Sequence, residues 1–177
     1  MNKKSLLSLA CLLSVPLAAL AQNASAGASL NDANIAAIVV AANNIDIKAG
    51  KLAHDAATSS DAKGLGDMMV RDHEAVNKQA TDLVTKLHVT PQDNDLSKKL
   101  KADADKTYDR LKALKGAEFD RAYTANEVAY HEAVISVVQT QLIPGAKNAE
   151  LKALLQQVLP ALEAHLAHAK HVQSLLK

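Results

Sequence analysis

The stretch Met69-Val70-Arg71-Asp72-His73 lies in the middle of a run that reads as one long helix. Leu65, Met68, Met69, Val76, Ala80, Leu83, Val84 and Leu87 recur on one side of it at helical spacing. On a wheel of about 100° per residue, His73 falls roughly 40° from the centre of that apolar stripe and Asp72 roughly 60°, while Glu74 faces away. A buried imidazole without a partner costs free energy, so the helix predicts that other helices bring polar groups to His73.

Outward from this helix the pattern repeats. Before it, Ile35, Ile38, Val39, Ala42, Ile45, Ala49, Leu52, Ala53 and Ala56 form a first helical stripe, capped by Asn31 or Asp32 and closed by the turn Thr58-Ser59-Ser60-Asp61. The second helix stops near His88, with Pro91 in the loop beyond. A third, weaker helix runs from about Leu96 to Leu114 and ends at Gly116; its stripe of Leu96, Leu100, Leu111 and Leu114 is thin and interrupted by Asp103. Phe119, Ala122, Tyr123, Tyr130, Val134, Val137 and Val138 mark a fourth helix, closed by Pro144-Gly145. Leu151, Leu154, Leu155, Val158, Leu159, Leu162, Leu166, Ala169, Val172 and Leu176 mark a fifth. Pro160 inside it removes an amide donor and kinks the helix or frees the carbonyl of Gln156.

The chain has 177 residues, 49% hydrophobic, 22% charged and only 2% aromatic, which suits one all-α domain with a sizeable core. The expected fold is a ferritin-like four-helix bundle with an additional shorter connecting helix. The third helix carries the chain back along the bundle, so that helix four runs parallel to helix two and helix five returns. Residues 30–177 form this domain. Residues 1–21 read as a signal peptide: Lys3 and Lys4 precede the apolar run Leu6 to Leu20, and Ala19-Leu20-Ala21 offers a small-x-small cleavage site. Residues 22–29, rich in Ala, Ser, Gly and Asn, are a flexible lead-in. The expected location is the periplasm, with no transmembrane segment after cleavage.

The single Cys, Cys11, lies in that leader, so any metal in the domain must be held by imidazole, carboxylate or water. Loss of Lys3 and Lys4 moves the formal charge from +1 to −1. With no basic block and almost no aromatic residues for stacking, no nucleic-acid partner is expected. Homo-oligomerisation stays open.

The same wheel places Asp46 of helix one roughly 50° from its stripe centre, Glu127 of helix four inside the stripe, His131 at its edge and His165 of helix five roughly 40° from centre. His168 and His171 diverge toward solvent, and Met68 and Met69 read as core. Asp46 and His73 are nearly equidistant from the turn at Ser59, and His131 and His165 fall near mid-height of their helices. Four helices are therefore expected to bring Asp46, His73, Glu127, His131 and His165 into one layer. That set suits iron, manganese or zinc, or else a structural layer of mutually satisfied histidines and acids.

Gly50-Lys51-Leu52-Ala53, Met69 to His73, Gly116-Ala117-Glu118-Phe119-Asp120-Arg121-Ala122-Tyr123 and Leu159-Pro160-Ala161-Leu162-Glu163-Ala164-His165-Leu166 resemble, in this order, an exported bacterial domain-of-unknown-function family (family 4142) often labelled "predicted outer membrane protein" and grouped with ferritin-like folds. The resemblance spans Leu30 to Leu176. It implies a ferritin-like bundle and supplies no reaction. His73, His131 and His165 match the family's histidines, and Asp46 stands where the family usually has Glu. The Glu-x-x-His pairs of ferritin-superfamily di-iron sites are absent: Val128 and Leu162 occupy the positions three before His131 and His165, and Glu127 lies four before His131. No barrel-like strand pattern accompanies the "outer membrane" label.

The first functional expectation is a non-enzymatic periplasmic bundle, a binding or envelope-stress accessory protein, because no complete catalytic motif is present. The alternative is a metal-binding protein for metal handling or oxidant detoxification. A metal-dependent oxidoreductase is the one enzyme class the residues leave open. A third expectation, less supported, is a bundle that opens its apolar faces to lipid.

Overall fold

The computed structural model describes residues 30–176; the segments read from the sequence as signal peptide and lead-in lie outside them. Five helices pack together, and the described residues contain no strand. They are α1 (Asp32–Ala56), α2 (Ser60–Lys86), α3 (Asp95–Ala113), α4 (Gly116–Val137) and α5 (Ala149–Leu175). After α4 the chain continues without a break through a π-helical segment, Val138–Leu142, and one further turn, Ile143–Gly145.

Polar side chains start four of the helices. Asn31 and Asn34 form a reciprocal capping box on α1, Asn94 and Ser97 another on α3, and the side chains of Ser59 and Asn148 cap α2 and α5. With Asn31 as the cap, Asp32 is left to accept the backbone N–H groups of Lys147 and Asn148 at 2.8 and 3.0 Å. That bond ties the start of α1 to the start of α5. At the opposite end, the carboxylate of Asp120 accepts from Thr58 N and Ser59 N at 2.9 and 2.8 Å and from the Thr58 hydroxyl, fastening the α1–α2 turn to the start of α4. These two anchors set the directions: α1 and α5 run one way, α2 and α4 the other. Neighbours around the bundle are α1–α2, α2–α5, α5–α4 and α4–α1, with α3 lying on α1 and α4.

Two boundaries differ from the expectation. Gly116 begins α4 instead of ending α3; its positive φ of 56° lets the chain turn directly from one helix into the next. The end of α4 is not a simple stop at Pro144, because the π-helical segment comes first. Periodicity alone cannot show an extra residue accommodated in one turn.

The core is divided in two. One cluster gathers Leu65, Met69, Leu111, Phe119, Tyr123, Ala169 and Val172 around the α1–α2 turn. The other gathers Ile35, Ile38, Val138, Leu142, Leu151, Leu155 and Leu162 near the opposite end. Each fully buried aliphatic side chain contributes about 1.5–3 kcal/mol, so these clusters hold the bundle while the stretch between them carries polar residues.

α1 and α2 meet most closely at glycine. A Cβ on Gly50 would stand 2.6 Å from the Gly66 carbonyl oxygen, and one on Gly66 would stand 2.8 Å from both the Gly50 carbonyl oxygen and Ala53 Cβ. The contact fixes the register of α1 on α2, and with it the level of Asp46 against His73. Gly50→Ala is expected to lower stability by up to about 2 kcal/mol in urea denaturation, the overpacking cost being roughly 1–3 kcal/mol less about 1 kcal/mol of gained helix propensity. Gly64→Ala on the open face of α2, where a Cβ meets nothing within 4 Å, is expected to raise stability by up to about 1 kcal/mol.

Candidate metal centre

Between the two apolar clusters the bundle buries five ionisable side chains from four helices. Asp46 of α1 is 3% exposed, His73 of α2 3%, Glu127 and His131 of α4 1% and 0%, and His165 of α5 5%. All five residues expected from the sequence meet in this one layer.

Each histidine has one nitrogen committed to an oxygen. Asn43 donates its amide N–H to the Val39 carbonyl at 2.9 Å, which turns its own oxygen toward His73. His73 Nδ1 lies 2.7 Å from that oxygen and is therefore the protonated nitrogen. His131 Nδ1 donates to the Glu127 backbone carbonyl at 3.0 Å, one turn back on the same helix. His165 Nε2 donates to Asp72 Oδ2 at 3.1 Å. Asp72 is held in turn by Arg71, whose Nε and Nη2 donate to it at 2.8 and 3.2 Å.

The other nitrogens point inward. His73 Nε2, His131 Nε2 and His165 Nδ1 are buried and have no hydrogen-bond partner in the protein; neither has Glu127 Oε2. His73 Nε2 lies 3.3 Å from Asp46 Oδ2 without hydrogen-bond geometry. The three rings form a near-equilateral triangle, with centroids 5.2, 5.5 and 5.8 Å apart. One ligand atom from each of His73, His131 and His165 lies within 4.8 Å of the others, and the same holds for Asp46, Glu127 and His131.

Electrostatics keep the imidazoles neutral. Burial, reinforced by the neighbouring histidines, brings His73 down to about 3, and burial brings His131 down to about 4. Burial also lowers His165, against the opposing pull of Asp72. Among the acids, burial and the nearby Glu127 carboxylate raise Asp46, while burial raises Glu127 to about 7 against hydrogen bonds from Asp46 and Asn126. Asp72 goes the other way: burial works to raise it, and the Arg71 and His165 contacts together outweigh that and leave it low. The layer thus presents three neutral imidazole lone pairs and two acids that are reluctant to ionise without a cation.

Asn43 is the residue the sequence reading overlooked. Its signal was an amide on the apolar face of α1, one turn before Asp46. Tyr123 also belongs near the centre, one turn before Glu127, with a buried hydroxyl that has no partner in the protein. His168 and His171 are exposed, as expected, and Met69 is core.

A donor set of three imidazoles and two carboxylates fits first-row transition metals better than magnesium or calcium. The second nitrogen of each ring is fixed by Asn43, the Glu127 carbonyl or Asp72, the arrangement that orients metal-ligating histidines.

The family profile described as "Domain of unknown function (DUF4142)" matches residues 17–172, and the chain belongs to that family. No curated protein and no solved structure matches it.

The buried layer predicts a pH optimum for the stability of the metal-free protein. His73 and His131 bind protons in the unfolded chain below their ordinary 6.5 but in the folded protein only near 3 and 4, so their stabilisation is complete above 6.5 and is lost as pH falls. Glu127 has the opposite sign: its contribution is complete below 4.5 and is lost as pH rises through 7. Asp46 acts in the sense of Glu127 and His165 in the sense of the other histidines, so urea denaturation in the presence of a chelator is expected to show a stability maximum between about pH 4.5 and 7, with losses on both sides.

Proposed function

We propose that this family member is a metal-binding helical bundle of the periplasm, in which His73, His131 and His165 hold a transition-metal ion with Asp46 and Glu127 beside it. The observation that carries the reading is the convergence of three buried histidines from three helices, each with a ligand atom within 4.8 Å of the others and each with one unpartnered ring nitrogen. A purely structural layer would satisfy both nitrogens of each ring. Here each ring is paired on its outer nitrogen only, and leaving a buried acceptor unmet costs about 1–3 kcal/mol. The sequence-based expectation of a non-enzymatic accessory bundle accounts for the fold but not for this arrangement.

The nitrogen-rich donor set favours iron or zinc over manganese. A bound ion would supply Lewis acidity or, with iron, one-electron chemistry, which suits metal handling or oxidant detoxification. Four long helices with one crossover through α3 support grouping the chain with ferritin-like bundles. The centre departs from the di-iron carboxylate pattern, since Glu127 precedes His131 by four and three histidines supply most of the donors. The periplasmic assignment rests on the leader; no helix among the described residues is long and apolar enough to cross a membrane.

Protein purified without a histidine tag and equilibrated with iron, manganese and zinc is expected to retain one ion per chain by elemental analysis. His73→Ala and His131→Ala are expected to abolish retention, with helicity largely kept, while His168→Ala leaves it unchanged. Asp72→Asn, which weakens the hold on His165 and the Arg71 contact behind it, is expected to weaken affinity by about 10–100-fold in titration calorimetry. Substoichiometric metal in the unaltered protein under all three conditions would sink the reading.

A further inference from the structure

A cavity of about 300 Å³ adjoins the centre on the side away from the α1–α2 turn. Its walls are mostly aliphatic, with Val39 from α1, Val76 from α2, Val134 and Val138 from α4, and Leu155 and Val158 from α5. Leu96 and Leu100 of α3 close it on one side. On the other, the α2–α5 seam is formed by the exposed residues Ala75, Gln79, Gln157 and Ala161, small or uncharged side chains that leave a mouth. The polar wall is the metal layer itself: His73, His165 and Asp46 line the cavity. His73 Nε2 and His165 Nδ1, two of the three unpartnered nitrogens, therefore belong to side chains that face it.

Both backbone irregularities of the bundle fall on this cavity. The π-helical segment Val138–Leu142 places Val138 and Leu142 in its wall, and Pro160 interrupts the α5 ladder between the lining residues Val158 and Ala161. A π-turn and a helix-interior proline each weaken regular helical hydrogen bonding, and neither is needed to fill a close-packed core. The space is at the lower end of small-molecule sites, and at about 30 Å³ per water-sized group it admits roughly ten heavy atoms or more.

We infer that the cavity binds a medium-chain amphiphile, a fatty acid or fatty alcohol, with its oxygen head at the His73–His165 wall and its hydrocarbon tail along Val134, Val138, Leu155 and Val158. The inference rests on the metal reading, because an oxygen head completes the coordination of an ion held by three histidines, whereas bare imidazole acceptors give a carboxylate nothing to bind. A ligand with a polar head alone would leave the aliphatic wall unused, and a hydrocarbon alone would leave the polar end unmet.

Titration calorimetry with zinc alone comes first and tests the metal reading by itself. Zinc-loaded protein is then titrated with octanoate and with 1-octanol, which separates the acid from the alcohol. Saturable one-to-one binding of at least one of them is expected, at least tenfold tighter than to the metal-free protein. In the cobalt-substituted protein the visible absorption band is expected to shift on addition of that ligand. Val158→Phe and, from the facing helix, Val76→Phe fill the cavity and are expected to weaken amphiphile binding at least tenfold while zinc stoichiometry stays unchanged, which also shows that the variants are folded. Zinc-loaded protein that takes up neither compound, or that binds them equally well after the cavity is filled or the metal removed, overturns the inference and leaves the metal reading standing. Where zinc is not bound, iron and manganese are titrated in its place, and failure with all three ends both.

Discussion

An imidazole has two nitrogens, and the centre of this bundle depends on how they are divided. The outer nitrogen of His73 is held by Asn43, that of His131 by its own helix backbone, and that of His165 by Asp72. Each bond fixes both the tautomer and the ring orientation, so the inner nitrogens are left as lone pairs on three rings whose centroids lie 5.2–5.8 Å apart. The donors to be held lie on α2, α4 and α5, and the holders lie on α1, α2 and α4. A shift of α1 therefore disturbs the ring carried by α2, and a shift of α2 the ring carried by α5, while His131 keeps its orientation from its own helix.

The arrangement also explains why the core is split. A continuous apolar core would be more stable, because five buried ionisable groups contribute desolvation cost instead of transfer free energy. The bundle offsets this by packing aliphatic and aromatic side chains on both sides of the layer and by anchoring each end with one carboxylate, Asp32 at the start of α5 and Asp120 at the α1–α2 turn. Both anchors accept backbone N–H groups at helix starts, where donors are otherwise unmet and the helix dipole favours an anion.

The helices and the five central residues were legible in the sequence because both rest on periodicity. His73, Asp46, Glu127 and His165 all fall within an apolar stripe, and nearly equal distances from the turn at Ser59 put Asp46 and His73 on one level. His131 was placed at the edge of its stripe and is fully buried: α5 packs over that edge, which a wheel of α4 alone cannot show. Asn43 was missed because an amide on an apolar face carries no charge to flag it. The π-helical segment was hidden for a different reason, since an added residue in one turn depends on tertiary packing and leaves no local mark. The beginning of α4 at Gly116 was misread because a positive-φ glycine serves equally well after one helix or before the next.

The glycine contact between α1 and α2 bears on the order in which the chain assembles. The two helices are joined by the short turn Ala57–Ser59, so their mutual contacts close small loops and lose little chain entropy. Contacts of this kind form early, whereas those of α4 and α5 with α1 and α2 wait on much longer loops. The α1–α2 hairpin already contains Asn43, Asp46 and His73. Half of the centre is thus laid down by nearest-neighbour topology, and the closing of the bundle is the step at which His131 and His165 arrive opposite it.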